Sequence, residues 1–161
     1  MARTILIVDD EKSILQSLKG ILADEGFAVV TAESGPEALE RIEEEIPDIV
    51  MLDIWMPDMD GLETLIKIKK NYPYLQVVMM SGHGTIETAV KSTKLGAYDF
   101  IEKPLSLEKV LLSINNALDY YQLEEEINLF REKDKDKYRI TGKSDAVSQR
   151  KKYDHRRRDG R

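Results

Sequence analysis

Asp9, Asp10, Asp53, Ser81 and Lys103 are the residues whose types could do chemistry together, and each stands at or just beyond the end of an apolar run. Three carboxylates gathered without a cation repel one another and raise each other's pKa, so their convergence implies a bound divalent ion. All-oxygen ligation favours magnesium. A lysine beside them supplies a point charge for a phosphoryl oxygen. An aspartate can then act as nucleophile and form an acyl phosphate, provided metal and lysine stabilise the equatorial oxygens of an in-line transfer. Ser81 offers a hydroxyl to the product. The set is a phosphoryl-transfer kit with Asp53 as its reactive residue. His83, bracketed by Gly82 and Gly84, has no second histidine in the folded body to share a ligand and is assigned no role.

Those residues can meet only if the chain between them returns each time to the same edge, and the sequence reads that way. Ile49 to Leu52 is a short continuous apolar run, as expected of a strand buried on both faces of a parallel sheet, and Asp53 closes it. Pro57 ends the extended stretch, and Asp60 with Glu63 caps a helix from about Gly61 to Asn71. Thr4 to Val8 is a β-branched apolar strand ending at Asp9, with Ser13 and Gln16 spaced as a capping box for a helix that stops at Gly26. Ala28 to Ala32 is a second strand, and Ser34, Pro36 and Glu37 open a helix that must end before Pro47. Gln76 to Met80 is a fourth strand ending in Ser81, followed by a helix that stops at Gly96. Tyr98 to Ile101 is a fifth, and Ser106 caps a last helix from Leu107. Five strands alternating with five helices give, through right-handed crossovers, an α/β doubly wound parallel sheet. Flavodoxin-like strand order 2-1-3-4-5 puts Asp9, Asp10, Asp53, Ser81 and Lys103 at one carboxyl-terminal edge, where ligands bind in such sheets.

Composition excludes other classes. The 161 residues are 42% hydrophobic and 34% charged, with no cysteine and no apolar run long enough to span a membrane. Disulfides and thiolate metal sites are therefore excluded. The first residues lead straight into a strand with no apolar signal region, and the expected location is the cytoplasm. Net charge is -6; residues 150–161 hold seven Lys/Arg against two Asp/Glu, a surplus of five, which leaves -11 on residues 1–149. An acidic body is a poor surface for nucleic acid.

In order along the chain, VDDE (Val8 to Glu11), DIWMPDMDG (Asp53 to Gly61), SGHG (Ser81 to Gly84), GAYDF (Gly96 to Phe100) and EKP (Glu102 to Pro104) resemble the motifs of response-regulator receiver domains of two-component signalling, over about residues 3–121. The resemblance implies a phosphoacceptor at Asp53 and metal ligation by Asp10, Asp53 and the backbone carbonyl of Trp55, with Asp9 acting through water. Ser81 and Lys103 would contact the phosphoryl group, and Lys103-Pro104 would be a cis peptide. Phe100, where many receivers have Tyr, would be the rotameric switch. The donor would be a sensor histidine kinase. SGHGTIETAVKSTKLGAYDFIEKPL is similar to receivers of NtrC-type sigma-54-dependent transcription activators, and ITGKSDAV (Ile140 to Val147) resembles the lead-in to their ATPase domain. The implied division is a receiver over 1–121, an extended helix and linker over 122–139, a truncated start of an ATPase output domain over 140–149 and a non-native basic tail over 150–161. Neither a GxxxxGK[ST] loop nor a DNA-reading helix pair occurs, so this stretch is expected neither to hydrolyse ATP nor to bind an operator.

Rival readings fit less well. Asp58-Met59-Asp60-Gly61 echoes the DxDG of haloacid-dehalogenase-type phosphatases, but that chemistry wants its first Asp directly after an apolar strand and Pro57 precedes Asp58. An EF-hand fails because Met56 and Lys67 stand where ligands are required. A stand-alone phosphorelay carrier is the third class. The last helix adds a partner: Leu107, Leu111, Ile114, Leu118 and Tyr121 keep a seam spacing that Leu123, Ile127 and Phe130 resume in shifted register. A homodimer through this helix would bury the stripe that no sheet is left to cover.

Overall fold

The computed structural model describes residues 2–141. Most of the ITGKSDAV stretch and all of the expected basic tail lie outside the described residues. The chain divides into two compact units, Met1–Tyr121 and Gln122–Arg161. The first contains β1 (Thr4–Val8), α1 (Lys12–Asp24), β2 (Ala28–Ala32), α2 (Gly35–Glu44), β3 (Ile49–Asp53), α3 (Gly61–Asn71), β4 (Gln76–Ser81), α4 (Ile86–Lys94), β5 (Asp99–Glu102) and the start of α5 (Leu107–Thr141). All strand pairs are parallel, in the order β2-β1-β3-β4-β5 expected from the alternation of elements.

Alternation along each strand divides the core into two layers. Leu6, Val8, Val50, Leu52, Val77 and Met79 pack with Ala38 and Ile42 of α2 and Leu65 and Ile68 of α3. Their neighbours Ile5, Ile7, Ile49, Met51, Val78, Met80 and Ile101 pack with Leu15, Leu18 and Leu22 of α1 and Val110, Ile114 and Leu118 of α5. With helices on both faces the strands read as continuous apolar runs, and β3 and β4 are buried at every residue.

Helix starts follow the side-chain oxygens. Ser34 Oγ accepts the Glu37 N–H at 3.2 Å, Asp60 Oδ1 the Glu63 N–H at 2.8 Å, and Thr85 Oγ1 the Thr88 N–H at 3.1 Å. The expected cap at Ser13 is a correction. Ser13 lies inside α1, whose N-cap is Glu11 with no side-chain cap bond. Asp9 Oδ1 accepts the Glu11 N–H instead, at 2.9 Å, so the approach to α1 is organised by a site carboxylate. Strand ends also differ slightly: β4 includes Ser81, and β5 begins at Asp99 rather than Tyr98. Past Lys133, where the KDKDK stretch reads as linker, the backbone is helical as far as Thr141.

Candidate functional site

Parallel register brings the ends of β1 and β3 side by side, Val8 opposite Leu52, so the next residue of each chain, Asp9 and Asp53, emerges at the same edge. Both are buried, Asp9 completely and Asp53 at 4% exposure, while Asp10 lies exposed beside them. One carboxylate oxygen from each of the three falls within 4.8 Å of the others. Opposite ligands on a magnesium ion stand about 4 Å apart. The donor set, all oxygen and all anionic, therefore fits a small hard cation.

Lys103, just beyond β5, reaches back to the same point. Its Nζ donates to Asp9 Oδ2 at 2.8 Å and lies 3.5 Å from Asp53 Oδ1. One ammonium against three carboxylates leaves the site electrically unfinished. Burial and the neighbouring Asp9 charge push the Asp53 carboxyl up to about 6, with Asp10 adding and Lys103 opposing. Burial alone would lower the Lys103 ammonium. The hydrogen bond to Asp9 and the charges of Asp53, Asp9 and Glu11 outweigh it and hold Lys103 above its usual value. Glu11 was not singled out from the sequence; its part is a field at a distance, which spacing along the chain does not reveal.

Ser81, the last residue of β4, is fully buried, and its Oγ accepts the His83 N–H at 3.1 Å, which leaves the hydroxyl proton to donate elsewhere. Phe100 is half-buried against the layer of α2 and α3. Its ring tip lies over Gly84: a Cβ there would stand 2.6 Å from Phe100 Cζ and 3.7 Å from Ser81 Cβ. Ser81 and Phe100 thus border one loop, and the missing side chain at Gly84 makes room for the ring. Trp55, two residues past Asp53, exposes 56% of its surface, while Met56 next to it is buried. Lys103-Pro104 is cis.

The β3–α3 turn is held against Asp53 by its own backbone. Gly61 N–H donates to Ile54 O at 2.7 Å, and a Cβ on Gly61 would collide with the Asp53 carbonyl oxygen. Asp58 takes φ +71° while Met59 N–H donates to Pro57 O at 2.8 Å, the strained three-residue γ-turn. Asp60 is occupied in capping α3, so the haloacid-dehalogenase reading of Asp58 and Asp60 finds neither carboxylate at a strand end.

Known proteins carry the same pattern. Residues 5–115 match the family model "Response regulator receiver domain". NtrX of Azorhizobium caulinodans, a nitrogen assimilation regulatory protein, is 42% identical over 151 residues, 92% of this chain and 33% of its own length. This chain therefore spans about a third of that relative. The receiver domain of NtrX from Brucella abortus superimposes with a TM-score of 0.69 at 49% identity, covering 71% of this chain and 98% of that one. The beryllofluoride-activated NtrC4 receiver domain dimer gives 0.70 at 46% identity, over 73% and 98%. With the matched segment spanning all five strands, the chain belongs to the response regulator receiver domain family.

Proposed function

We propose that Asp53 accepts a phosphoryl group from a sensor histidine kinase and that this transfer switches the surface of the receiver. The observation that carries the reading is that Asp9, Asp10 and Asp53 bring carboxylate oxygens within 4.8 Å of one another while the Lys103 ammonium pairs with two of them, Asp9 at 2.8 Å and Asp53 at 3.5 Å. A carboxyl raised to about 6 is ionised at neutral pH yet more basic than an ordinary carboxylate, which suits a nucleophile. An Asp53 oxygen forms the new O–P bond as the P–N bond of the donor phosphohistidine breaks, its electron pair returning to the imidazole. Lys103 holds a phosphoryl oxygen, and Ser81, its proton free, donates to another. Asp10, Asp53 and the Trp55 carbonyl would hold magnesium, with Asp9 acting through water; the ion supplies positive charge to neutralise the carboxylates and the transferring oxygens. Phe100 responds as Ser81 is drawn toward the phosphoryl group, a two-state element biased from the site. The chain acts as a phosphoacceptor rather than a turnover enzyme.

The receiver over 1–121, through the helix and linker over 122–139, would control a sigma-54-dependent activating output of which residues 140–149 are the truncated start of an ATPase domain, a reading supported by the resemblance of ITGKSDAV to the lead-in of such domains. The cytoplasm is the natural compartment, and among the described residues no helix is long and apolar enough to cross a membrane. A homodimer through α5 fits as well. Val110, Ile114 and Leu118 are spent on the receiver core, whereas Leu123 and Leu129 further along expose 54% and 55%. The relative NtrC4 forms a receiver dimer in its activated state.

Incubation with magnesium and a small phosphodonor tests the proposal by intact mass. One acid-stable, base-labile phosphoryl group on the wild type and none on Asp53→Asn is the expected result, and equal incorporation in both sinks it. Sedimentation of residues 1–149 against 1–121, with and without beryllofluoride, tests the dimer: only the longer chain should associate.

A further inference from the structure

A hydroxyl inside a helix, buried or exposed, commonly returns its hydrogen bond to the carbonyl one turn back. Ser92 donates to Thr88 O at 2.9 Å, Thr93 to Ala89 O at 3.0 Å and Thr64 to Asp60 O at 3.0 Å. Ser113, in α5 and only 3% exposed, does otherwise: its Oγ leaves the helix and donates to Asp99 Oδ2 on β5 at 2.8 Å. The second oxygen of that carboxylate, Oδ1, accepts the Phe100 N–H at 2.8 Å. A single side chain therefore grips the backbone of Phe100 with one oxygen and the flank of α5 with the other. Further along the helix the ring of Tyr120 stands 5.6 Å from that of Tyr98, tilted by 50°. The two residues preceding Phe100 are thus tied to α5 at points about two turns apart, which resists both sliding and rotation of the helix over the strand.

We propose that Asp99 is a positioning residue that couples Phe100 to α5, so that a change in the Phe100 backbone is passed to the helix leading out of the receiver. The inference rests on the phosphoacceptor reading of Asp53. A carboxylate suits the task because charge-assisted hydrogen bonds are short and strong, and directionality makes them intolerant of misalignment. Asp99 is exposed, so holding the charge there costs little desolvation. When the Phe100 peptide turns, the carboxylate must either carry Ser113 with it or lose that bond, and loss would leave a buried hydroxyl without the partner it uses here.

The test compares amide NMR spectra of the 161-residue chain with and without magnesium and beryllofluoride, for the wild type, Ser113→Ala and Asp99→Ala. In the wild type the activator should shift amides at Ser81, Phe100 and Leu107 to Leu118 together. In Ser113→Ala the shifts at Ser81 and Phe100 should keep their size while those along α5 fall at least threefold; a merely structural serine would alter the unactivated spectrum without changing that difference. Asp99→Ala, which removes both acceptor oxygens at an exposed residue, should likewise diminish the shifts along α5 and serves should Ser113→Ala fold poorly. Full-sized α5 shifts in a folded variant overturn the coupling alone. No response at Ser81 or Phe100 in the wild type overturns the phosphoacceptor reading, and the coupling with it.

Discussion

β3 and β5 run parallel in one sheet and deliver their residues to one site, yet they are built for opposite purposes. β3 lies between β1 and β4, and all of its residues are buried. Its turn into α3 is closed by the Gly61 to Ile54 hydrogen bond and by a glycine that abuts the Asp53 backbone. β5 is an edge strand, one residue shorter, with Ile101 as its buried member. Its side chains are held by polar ties to α5 and by the loop at Gly84. The carboxylate proposed as acceptor sits where displacement would disrupt two core layers, and the switch candidate sits where displacement exposes one ring. Low local stability at the moving part is what a two-state element requires.

The comparison breaks most visibly under truncation of one side chain from each strand. Leu52→Ala should cost about 3 to 4 kcal/mol in urea unfolding, because a fully buried leucine leaves a cavity the sheet cannot close. Phe100→Ala should cost about 1 to 2 kcal/mol, below the range for a core phenylalanine, since the residue is only partly buried. Equal losses would mean that β5 is as much core as β3, and that the switch has no soft edge to move on.

The cost of holding charge at the end of β3 sharpens the contrast. Asp53 is raised from 3.8 to about 6 in the folded chain without metal, so the stability it allows is complete below 3.8 and lost as pH rises through about 6. Between those values the unfolded chain releases its proton while the folded one retains it. Asp53→Asn should therefore stabilise the metal-free protein by about 2 kcal/mol near neutral pH and by nothing below the ordinary carboxylate value. Denaturant midpoints measured across that pH range read the difference. Added magnesium should narrow it by stabilising the wild type more than the variant.

The smallest effect concerns the turn rather than the strands. Asp58 holds φ +71°, which glycine adopts without strain, so Asp58→Gly should stabilise by about 1 kcal/mol or less while leaving phosphoryl uptake intact. A loss of uptake on that change would show that the strained turn, and not Gly61 alone, sets the position of Asp53.

Local patterns were legible where one physical signal dominated. Apolar runs marked β1, β3 and β4 because both faces of the sheet are covered, and Ser34 and Asp60 were recognisable as caps because nothing else competed for the exposed N–H groups. Ser13 misled for the complementary reason. Asp9, fully buried and bonded to Lys103, also takes the Glu11 N–H, and a carboxylate serving the site displaced the expected serine cap. The ends of β5 moved by one residue because an edge strand lacks the second neighbour that fixes pairing. The helical backbone beyond Lys133 ran against a polar charge alternation that reads equally as linker.

By itself the sequence determined the order of strands and helices, the ends of β1 and β2, and the motifs that make the chain a receiver, since these depend on periodicity and turn chemistry within about ten residues. Tertiary structure alone decided that Lys103 lies closer to Asp9, at 2.8 Å, than to Asp53, at 3.5 Å, that Gly84 seats the Phe100 ring, and that Ser113 abandons its own helix for Asp99. Each of those contacts joins residues far apart in the chain or on different elements. Their partners are chosen by sheet register and helix azimuth, quantities that emerge only when both core layers pack at once.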